Sequence, residues 1–293
     1  MTAKLIWIDP AKCLGCGECL PACGRHLVIM PEDVAVISRP ESCVACGHCK
    51  AVCPVDAPQL PGVAAADFLP APAPEGLPSP EVLLSFLRSR RSIRVFRPEP
   101  VERAKLEALL QAARYTPTAQ NRQALGYVVV ASPEALAEVT RLTVAALVEQ
   151  AARLEAALAR EAAGGSALAP EDQAWRQYPP AFRLLAELTA QGEDPLFHHA
   201  PAVVAVHVHP EESLHPKVEA GLAAMHLALM AVSLGLGTCF CGLLEYALRH
   251  SGPLARALYL PPGHLVPISF MLGYPELTYR RLPARRPLRV TWR

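Results

Sequence analysis

Apolar positions in the middle of the chain recur with two different periods. Residues 80–91 and 101–114 space their apolar side chains three and four positions apart, which is the helical period. Residues 126–130 and 202–208 are short, almost continuous apolar runs rich in valine, which is typical of buried strands. Helices that alternate with strands in this way predict an α+β domain in which helices pack on a sheet.

The remainder of the chain continues this alternation. Residues 135–191 are predicted to be mostly helical, with breaks at Gly164-Gly165 and at Pro179-Pro180. Residues 268–272 are predicted to form a further strand. We therefore expect residues 81–293 to form one layered α+β domain.

One apolar segment is long enough to raise the question of a membrane span. Residues 220–244 contain no charged residue, and a segment of this length could cross a bilayer. His226, Gly235 and Gly237 interrupt it, and basic residues do not flank both of its ends. A buried helix running into a glycine turn fits better, so we expect no membrane interaction.

The first 62 residues have a different character, because eight of the ten cysteines lie in them. A run of four cysteines with spacing C-x-x-C-x-x-C-x-x-x-C begins at Cys13 and recurs thirty residues later, beginning at Cys43. Residues 63–80 follow as a segment with five prolines, which predicts an extended linker without regular helix. The expected organisation is thus a domain at 1–62, a linker at 63–80 and a domain at 81–293.

The repeated cysteine run is typical of [4Fe–4S] ligation. Three cysteines on a tight loop can reach three irons of one cluster, and in two-cluster ferredoxins the fourth cysteine of each run ligates the other cluster. This rule assigns Cys13, Cys16, Cys19 and Cys53 to one cluster. It assigns Cys23, Cys43, Cys46 and Cys49 to the second. The segment resembles the bacterial-type ferredoxin domain, although Gly24 stands where the pattern has a proline.

Two other uses of these cysteines are possible. Paired C-x-x-C units also bind zinc, but the middle cysteine of each triplet would then be redundant. Disulfides would require an oxidising compartment, and the N-terminus lacks the features of a signal peptide, so we expect a cytoplasmic protein. The net charge of +1 gives no indication of nucleic-acid binding.

Three polar or glycine-rich stretches in the larger domain are candidate ligand-binding segments. The arginine segment, residues 90–96, offers guanidinium groups and a hydroxyl suited to a phosphate, although a solvated basic patch is the alternative. The amide loop, residues 116–123, offers side chains that both donate and accept hydrogen bonds. The glycine turn, residues 235–242, permits close approach to a planar ring or forms an ordinary helix C-cap.

Taken in order, these stretches resemble the FMN-dependent nitroreductase family. The family's R-x-S-x-(R/K) motif is matched at Arg90, Ser92 and Arg94, with Arg91 between them, and a G-Y-P stretch at 273–275 precedes basic residues. The family's P-(S/T)-x-x-N-x-Q motif is matched at Pro117, Thr118, Asn121 and Gln123. One departure is Ala124-Leu125, where many members have Pro-Trp, and this leaves the shape of the substrate pocket open.

The resemblance implies an intertwined homodimer with FMN at the interface. It implies that the FMN phosphate and ribityl chain are held by Arg90, Ser92, Arg94 and either Arg285 or Arg286. It further implies that Thr118, Ala119 and Asn121 come from the partner subunit and that Cys241 and Gly242 lie beside the isoalloxazine ring.

The combination of cofactors predicts an oxidoreductase. Each cluster carries one electron and FMN accepts two, so two clusters hold what one full flavin reduction needs. We expect electrons from reduced ferredoxin or NAD(P)H to pass through the clusters to FMN and on to a nitro compound, quinone or activated alkene. An electron-transfer relay to a protein partner and a flavin-based redox sensor are the alternatives.

Overall fold

The computed structural model describes residues 6–293, which cluster into two compact units. The first unit runs up to Ser79 and includes Gln120–Arg122, and the second comprises Pro80–Ala119 and Gln123–Arg293. The first five residues of the predicted domain 1–62 lie outside the described residues.

Short elements that alternate with the cysteine runs build the first unit. They are β1 (Trp7–Ile8), α1 (Cys19–Ala22), β2 (Val28–Ile29), β3 (Val36–Ile37), α2 (His48–Ala51) and β4 (Pro58–Gln59). The strands form two antiparallel pairs, β1 with β4 and β2 with β3. A small core that includes Ile6, Val28, Ala35 and Leu60 lies against Cys19 and Cys49, so the last cysteine of each triplet is buried.

The proline-rich linker is more structured than its composition predicts. Residues Ala65–Asp67 and Pro74–Gly76 form 3₁₀ turns, the second of which begins with a proline at a position where a missing N–H costs nothing. The ring of Phe68 lies so close to Gly47 that an added Cβ there would come within 3.1 Å of it. The ammonium of Lys50 lies 5.3 Å from the centre of the same ring. The segment therefore turns at two places and is held at Phe68, whose ring lies against Gly47 and Lys50.

A four-stranded antiparallel sheet forms the centre of the second unit. Its strands are β5 (Gly126–Val130), β6 (Ala202–Val208), β7 (Gly237–Phe240) and β8 (Leu265–Gly273), in the spatial order β5-β6-β8-β7. In the register, Val128 lies opposite Ala205, and Ala205 lies opposite Ser269. The strands β5 and β6 have the predicted bounds, since both are apolar runs that helices cover on both faces.

Helices cover this sheet on its two faces. They are α4 (Arg103–Ala113), α5 (Pro133–Ala162), α6 (Pro179–Ala190), α7 (Pro216–Ser233), α8 (Gly242–Leu248) and α9 (Gly252–Ala257). The helix α3 (Pro80–Ser89) precedes them and has no buried residue. Apolar residues of α4 and α7 pack on one face with Val204 and Val206 of β6. Residues of α5, α6, α8 and α9 pack on the other face with Val203. The unit is thus the predicted α+β sandwich.

The charge-poor helix α7 lies against the sheet rather than standing alone. Ala220, Ala223, Ala224 and Ala228 are fully buried in it, and their small side chains let the helix approach β6 and β8 closely. Over residues 6–293, no helix combines the length and the apolar character that crossing a bilayer would require.

Candidate functional site

Two cavities in the first unit are each surrounded by four cysteines. One is lined by Cys13, Cys16, Cys19 and Cys53. The other is lined by Cys23, Cys43, Cys46 and Cys49. Both cavities are small, and they are similar in size. Each cavity therefore takes three cysteines from one run and the fourth from the other, which is the grouping that two-cluster ferredoxins use.

Backbone amides donate hydrogen bonds to several of these sulfur atoms. The N–H of Leu27 donates to Cys23 Sγ at 3.4 Å, and the N–H of Ala57 donates to Cys53 Sγ at 3.3 Å, thirty residues further on. Burial acts to raise the pKa of the Cys23 thiol, but hydrogen bonds from amides such as that of Leu27 outweigh it and leave the pKa lowered. Amide donors of this kind stabilise a thiolate, and a thiolate is the form that ligates iron.

The cysteine side chains around each cavity are not arranged as the ligands of a single metal ion. Among the residues that the structure describes, no three His, Cys, Asp or Glu side chains converge as the ligands of one metal ion would. The four cysteines instead surround a cavity. This donor set fits a [4Fe–4S] cluster, in which each thiolate reaches a different iron.

The arginine segment forms one wall of a basic cavity in the second unit. The cavity, of about 620 Å³, is lined by Arg88, Arg90, Arg91 and Arg285, with Leu87 and residues 282–284 completing the wall. Arg285 thus joins the arginines of the segment across almost two hundred residues of sequence, whereas Arg286 does not line the cavity. Arg88, which the sequence motif does not include, is a further member, and its place in the last turn of α3 is the only signal for it.

Arg91 has an unsatisfied donor at this cavity. Its Nε is buried and has no hydrogen-bond partner, whereas its Nη2 donates to the carbonyl oxygen of Arg88 at 2.7 Å. Burial lowers the pKa of the Arg91 guanidinium, and the nearby charges of Arg285 and Arg90 lower it further. A phosphate would accept from these donors and relieve the repulsion between the cations, so the residues present fit the phosphate of FMN.

Ser92 and Arg94 lie at a second, smaller depression. It is lined by Ser92, Ile93, Arg94 and Val95, with Leu277 and Tyr279 opposite. The segment is held there by β7, because the N–H of Ile93 donates to the carbonyl oxygen of Thr238 at 3.0 Å. The predicted ligands of the FMN phosphate thus lie at two places: Arg90 and Arg285 line the basic cavity, and Ser92 and Arg94 line the smaller depression.

The glycine turn is a strand rather than a loop at residues 237–240. An added Cβ on Gly237 would lie 2.4 Å from Cγ1 of Ile93, so only glycine lets the arginine segment pass this close to β7. The space beside Gly237, which was predicted to admit a planar ring, is thus occupied by the side chain of Ile93. At Gly242, by contrast, an added Cβ would meet no atom within 4 Å, which leaves open space beside the start of α8.

Cys241 is buried at the end of this stretch. Its N–H donates to the carbonyl oxygen of Ser269 at 3.0 Å, and its own carbonyl oxygen accepts from Ser269 Oγ at 2.9 Å. Burial raises the pKa of the Cys241 thiol to about 12. This side chain is therefore an apolar, protonated neighbour of the open space at Gly242.

An acidic side chain that the sequence analysis did not single out lies on the same helix, α8. Glu245 lies one turn into α8, and its Oε1 accepts the N–H of Ser269 at 2.7 Å. Burial raises the pKa of this carboxyl to about 7, against the lowering effect of the hydrogen bonds from Ser269. Its only sequence signal is one acidic residue in the apolar stretch 243–248.

The amide loop is fixed by hydrogen bonds of its own. The N–H of Gln123 donates to Thr118 Oγ1 at 3.0 Å, and the N–H of Ala119 donates to Glu219 Oε1 at 2.8 Å. Asn121 is grouped with the first unit, and its Nδ2 donates to the carbonyl oxygens of Val44 and Ala45. Pro117 is exposed at the start of the loop. In a single chain, these residues do not line the basic cavity.

Comparison with known protein families identifies the family to which each of the two units is similar. The profile described as the nitroreductase family matches residues 87–274, and the 4Fe-4S dicluster domain matches residues 5–54. The chain belongs to the nitroreductase family. This confirms both resemblances seen in the sequence and the prediction that the protein is an oxidoreductase.

A solved nitroreductase has the fold of the second unit, and a further one is also similar to the chain. A nitroreductase with bound FMN from Desulfitobacterium hafniense DCB-2 is 23% identical, with a TM-score of 0.52 over 71% of this chain and 96% of that chain. A nitroreductase with bound FMN from Bacteroides fragilis NCTC 9343 is 20% identical, with a TM-score of 0.48 over 71% of this chain and 98% of that chain. No curated protein matches the chain.

Proposed function

We propose that this member of the nitroreductase family is an FMN-dependent oxidoreductase that takes electrons through two [4Fe–4S] clusters and reduces a small organic acceptor. The observation that carries the proposal is the pair of four-cysteine cavities in a chain whose other unit has the nitroreductase fold. When bound, the clusters supply single electrons and FMN supplies two-electron hydride chemistry.

The cysteines would hold the clusters in the crossed grouping. Cys13, Cys16, Cys19 and Cys53 would ligate one cluster. Cys23, Cys43, Cys46 and Cys49 would ligate the other. The four-cysteine lining of each cavity and the amide donors to Cys23 and Cys53 support this assignment.

The arginines would hold the FMN phosphate. Arg90, Arg91 and Arg285 face one cavity, and the orphaned Nε of Arg91 supports an anion there. Ser92 and Arg94 adjoin this cavity along the chain and would continue toward the ribityl chain. Arg286 lies outside the cavity wall, which favours Arg285 as the basic residue from the C-terminal segment.

The flavin ring would lie beside Cys241 and Gly242. The open space at Gly242 and the protonated, uncharged thiol of Cys241 suit a planar apolar ring. Pro117, Thr118, Ala119, Asn121 and Gln123 would complete the site from the partner subunit. Since the N–H of Ala119 already donates to Glu219, this residue would contact FMN through its carbonyl oxygen or its methyl group.

A homodimer is part of the proposal, because single-chain surfaces leave many apolar side chains uncovered. No residue of α3 is buried, and Val82 is 61% exposed. On α7, Val218 is likewise 61% exposed, and at the C-terminus Trp292 is 90% exposed. Apolar surface of this extent is typical of an interface between subunits.

The donor would be reduced ferredoxin or NAD(P)H, and the acceptor a nitro compound, quinone or activated alkene. A relay to a protein partner and a flavin sensor are the competing functions. The reducing cytoplasm is the compartment we propose, since eight ligating cysteines must remain thiols.

The test is the cofactor content and turnover of anaerobically isolated full-length protein. We expect close to eight irons, eight acid-labile sulfides and one FMN per chain, and multiple turnovers of an organic acceptor with a low-potential donor. Stoichiometric zinc without sulfide would refute the cluster assignment. Reduction of FMN without turnover of any acceptor would favour the relay or the sensor.

A further inference from the structure

The amide loop adopts a backbone conformation that its residues disfavour. Gln120, Asn121 and Gln123 have φ angles of 56°, 54° and 50°, in the left-handed region that side chains other than glycine seldom enter. Such residues are strained, and a loop with three of them persists only where its surroundings impose the conformation. The hydrogen bonds that hold the loop in this conformation are therefore the ones to examine for a functional role.

One of those contacts is a buried carboxylate on α7. Glu219 is 2% exposed, and its Oε1 accepts the N–H of Ala119, the residue before the left-handed pair. Its Oε2 accepts the hydroxyl of Ser213 at 2.7 Å. Ser213 Oγ in turn accepts the N–H of His215 at 3.2 Å, so the carboxylate has a fixed orientation.

A second contact from the same helix holds the start of the loop. Thr116 Oγ1 lies 3.0 Å from Nδ1 of His226. Glu219 and His226 are seven residues apart, which places them on one face of α7. Helix α7 packs on β6 and β8, so both ties connect the loop to the rigid centre of the unit.

A carboxylate at this place has a cost that packing alone does not explain. Burying a charged group is unfavourable unless hydrogen bonds compensate it, and Glu219 accepts hydrogen bonds from a backbone amide and a hydroxyl. A charged acceptor, however, holds an N–H about twice as strongly as a neutral acceptor does. A stronger hydrogen bond to the N–H of Ala119 offsets more of the strain in the loop.

We propose that Glu219 is a positioning residue for FMN, which clamps the amide loop in the conformation that binds the flavin. The inference rests on the proposed role of Thr118, Ala119 and Asn121 in FMN binding. Glu219 itself need not touch FMN, because it acts through the backbone of Ala119.

The test compares two substitutions that remove the clamp to different degrees. Glu219→Ala removes both acceptors and leaves the amide of Ala119 without a partner. Glu219→Gln keeps one acceptor oxygen, replaces the other by an NH2 group and removes the charge. We expect FMN affinity, measured by titrating the full-length apoprotein, to fall about ten-fold or more in Glu219→Ala and by a smaller factor in Glu219→Gln. Hydrogen exchange at the amide of Ala119 should accelerate in the same order.

The control is Thr143→Ala, which removes another buried side-chain hydrogen bond, from Thr143 Oγ1 to the carbonyl oxygen of Val139. It should lower thermal stability without changing FMN affinity or exchange at Ala119.

Equal FMN affinity in wild type and both Glu219 variants would overturn the inference, as would an equal loss of FMN affinity in Thr143→Ala. If Glu219→Ala does not fold, the Gln variant decides. Wild-type protein that fails to bind FMN would instead overturn the proposed function, and exchange at Ala119 would still report on the clamp.

Discussion

Replacing Glu245 by glutamine should make the stability of the second unit less sensitive to pH. The carboxyl of Glu245 has its pKa raised from the ordinary 4.5 to about 7 by burial in α8. Between these two values the folded protein holds a proton that the unfolded chain has released. The contribution of the Glu245 carboxyl to the free energy of unfolding is therefore fully present below pH 4.5. It falls as the pH rises through this window and is lost above pH 7.

The size of this effect follows from the pKa. A rise of this extent corresponds to at most about 3 kcal/mol at pH 8, and the partial exposure of the side chain reduces it to about 2 kcal/mol. For a unit of this size, about 2 kcal/mol shifts the melting temperature by roughly 4–8 °C. Glutamine keeps an acceptor for the N–H of Ser269 and carries no charge, so it should recover this difference.

The assay is the melting temperature of the full-length protein by near-ultraviolet circular dichroism, at pH 5 and at pH 8.5. We expect Glu245→Gln to melt roughly 4–8 °C above wild type at pH 8.5 and close to it at pH 5. The control, Glu138→Gln, changes an exposed glutamate on α5 and should show no such difference. A Glu245→Gln variant that differs from wild type equally at both pH values would refute the reasoning.

Two further predictions concern the cofactor ligands. Cys53→Ala should lower the iron content mainly of the cluster held by Cys13, Cys16 and Cys19, and electron paramagnetic resonance of the reduced protein should show which of the two signals is lost; equal loss of both would contradict the crossed grouping. Arg285→Ala should weaken FMN binding about ten-fold or more, since it removes a charge-assisted contact, while the neighbouring Arg286→Ala should have a smaller effect; the reverse order in an FMN titration would contradict the geometry of the basic cavity.

The sequence was most informative where the spacing or the continuity of one residue type is tied to one geometry. The cysteine runs predicted the grouping around each cavity because their spacing is tied to cluster geometry. The valine-rich runs at 126–130 and 202–208 predicted their strands to the residue, since continuous apolar character marks a strand covered on both faces. Residues 237–240 were predicted to belong to a glycine turn that admits a planar ring, whereas they form a strand in which Gly237 admits Ile93.

Long-range contacts explain what the sequence could not predict. Nothing near Glu219 or Glu245 in the chain indicates that one accepts the amide of Ala119 and the other the amide of Ser269. The choice between Arg285 and Arg286 likewise depends on how the C-terminal segment meets α3. Burial and hydrogen bonding across the fold determine these positions and contacts, and neither leaves a local pattern in the sequence.

The central claim is that the clusters lie on the electron path to FMN. It is tested most directly by the rate of acceptor reduction with reduced ferredoxin, compared between wild type and a double variant, Cys13→Ser with Cys43→Ser, that removes one ligand from each cavity. We expect the double variant to keep FMN and to reduce the acceptor with a strong chemical reductant, but to lose reduction by ferredoxin. Equal rates with reduced ferredoxin in both proteins would contradict the account.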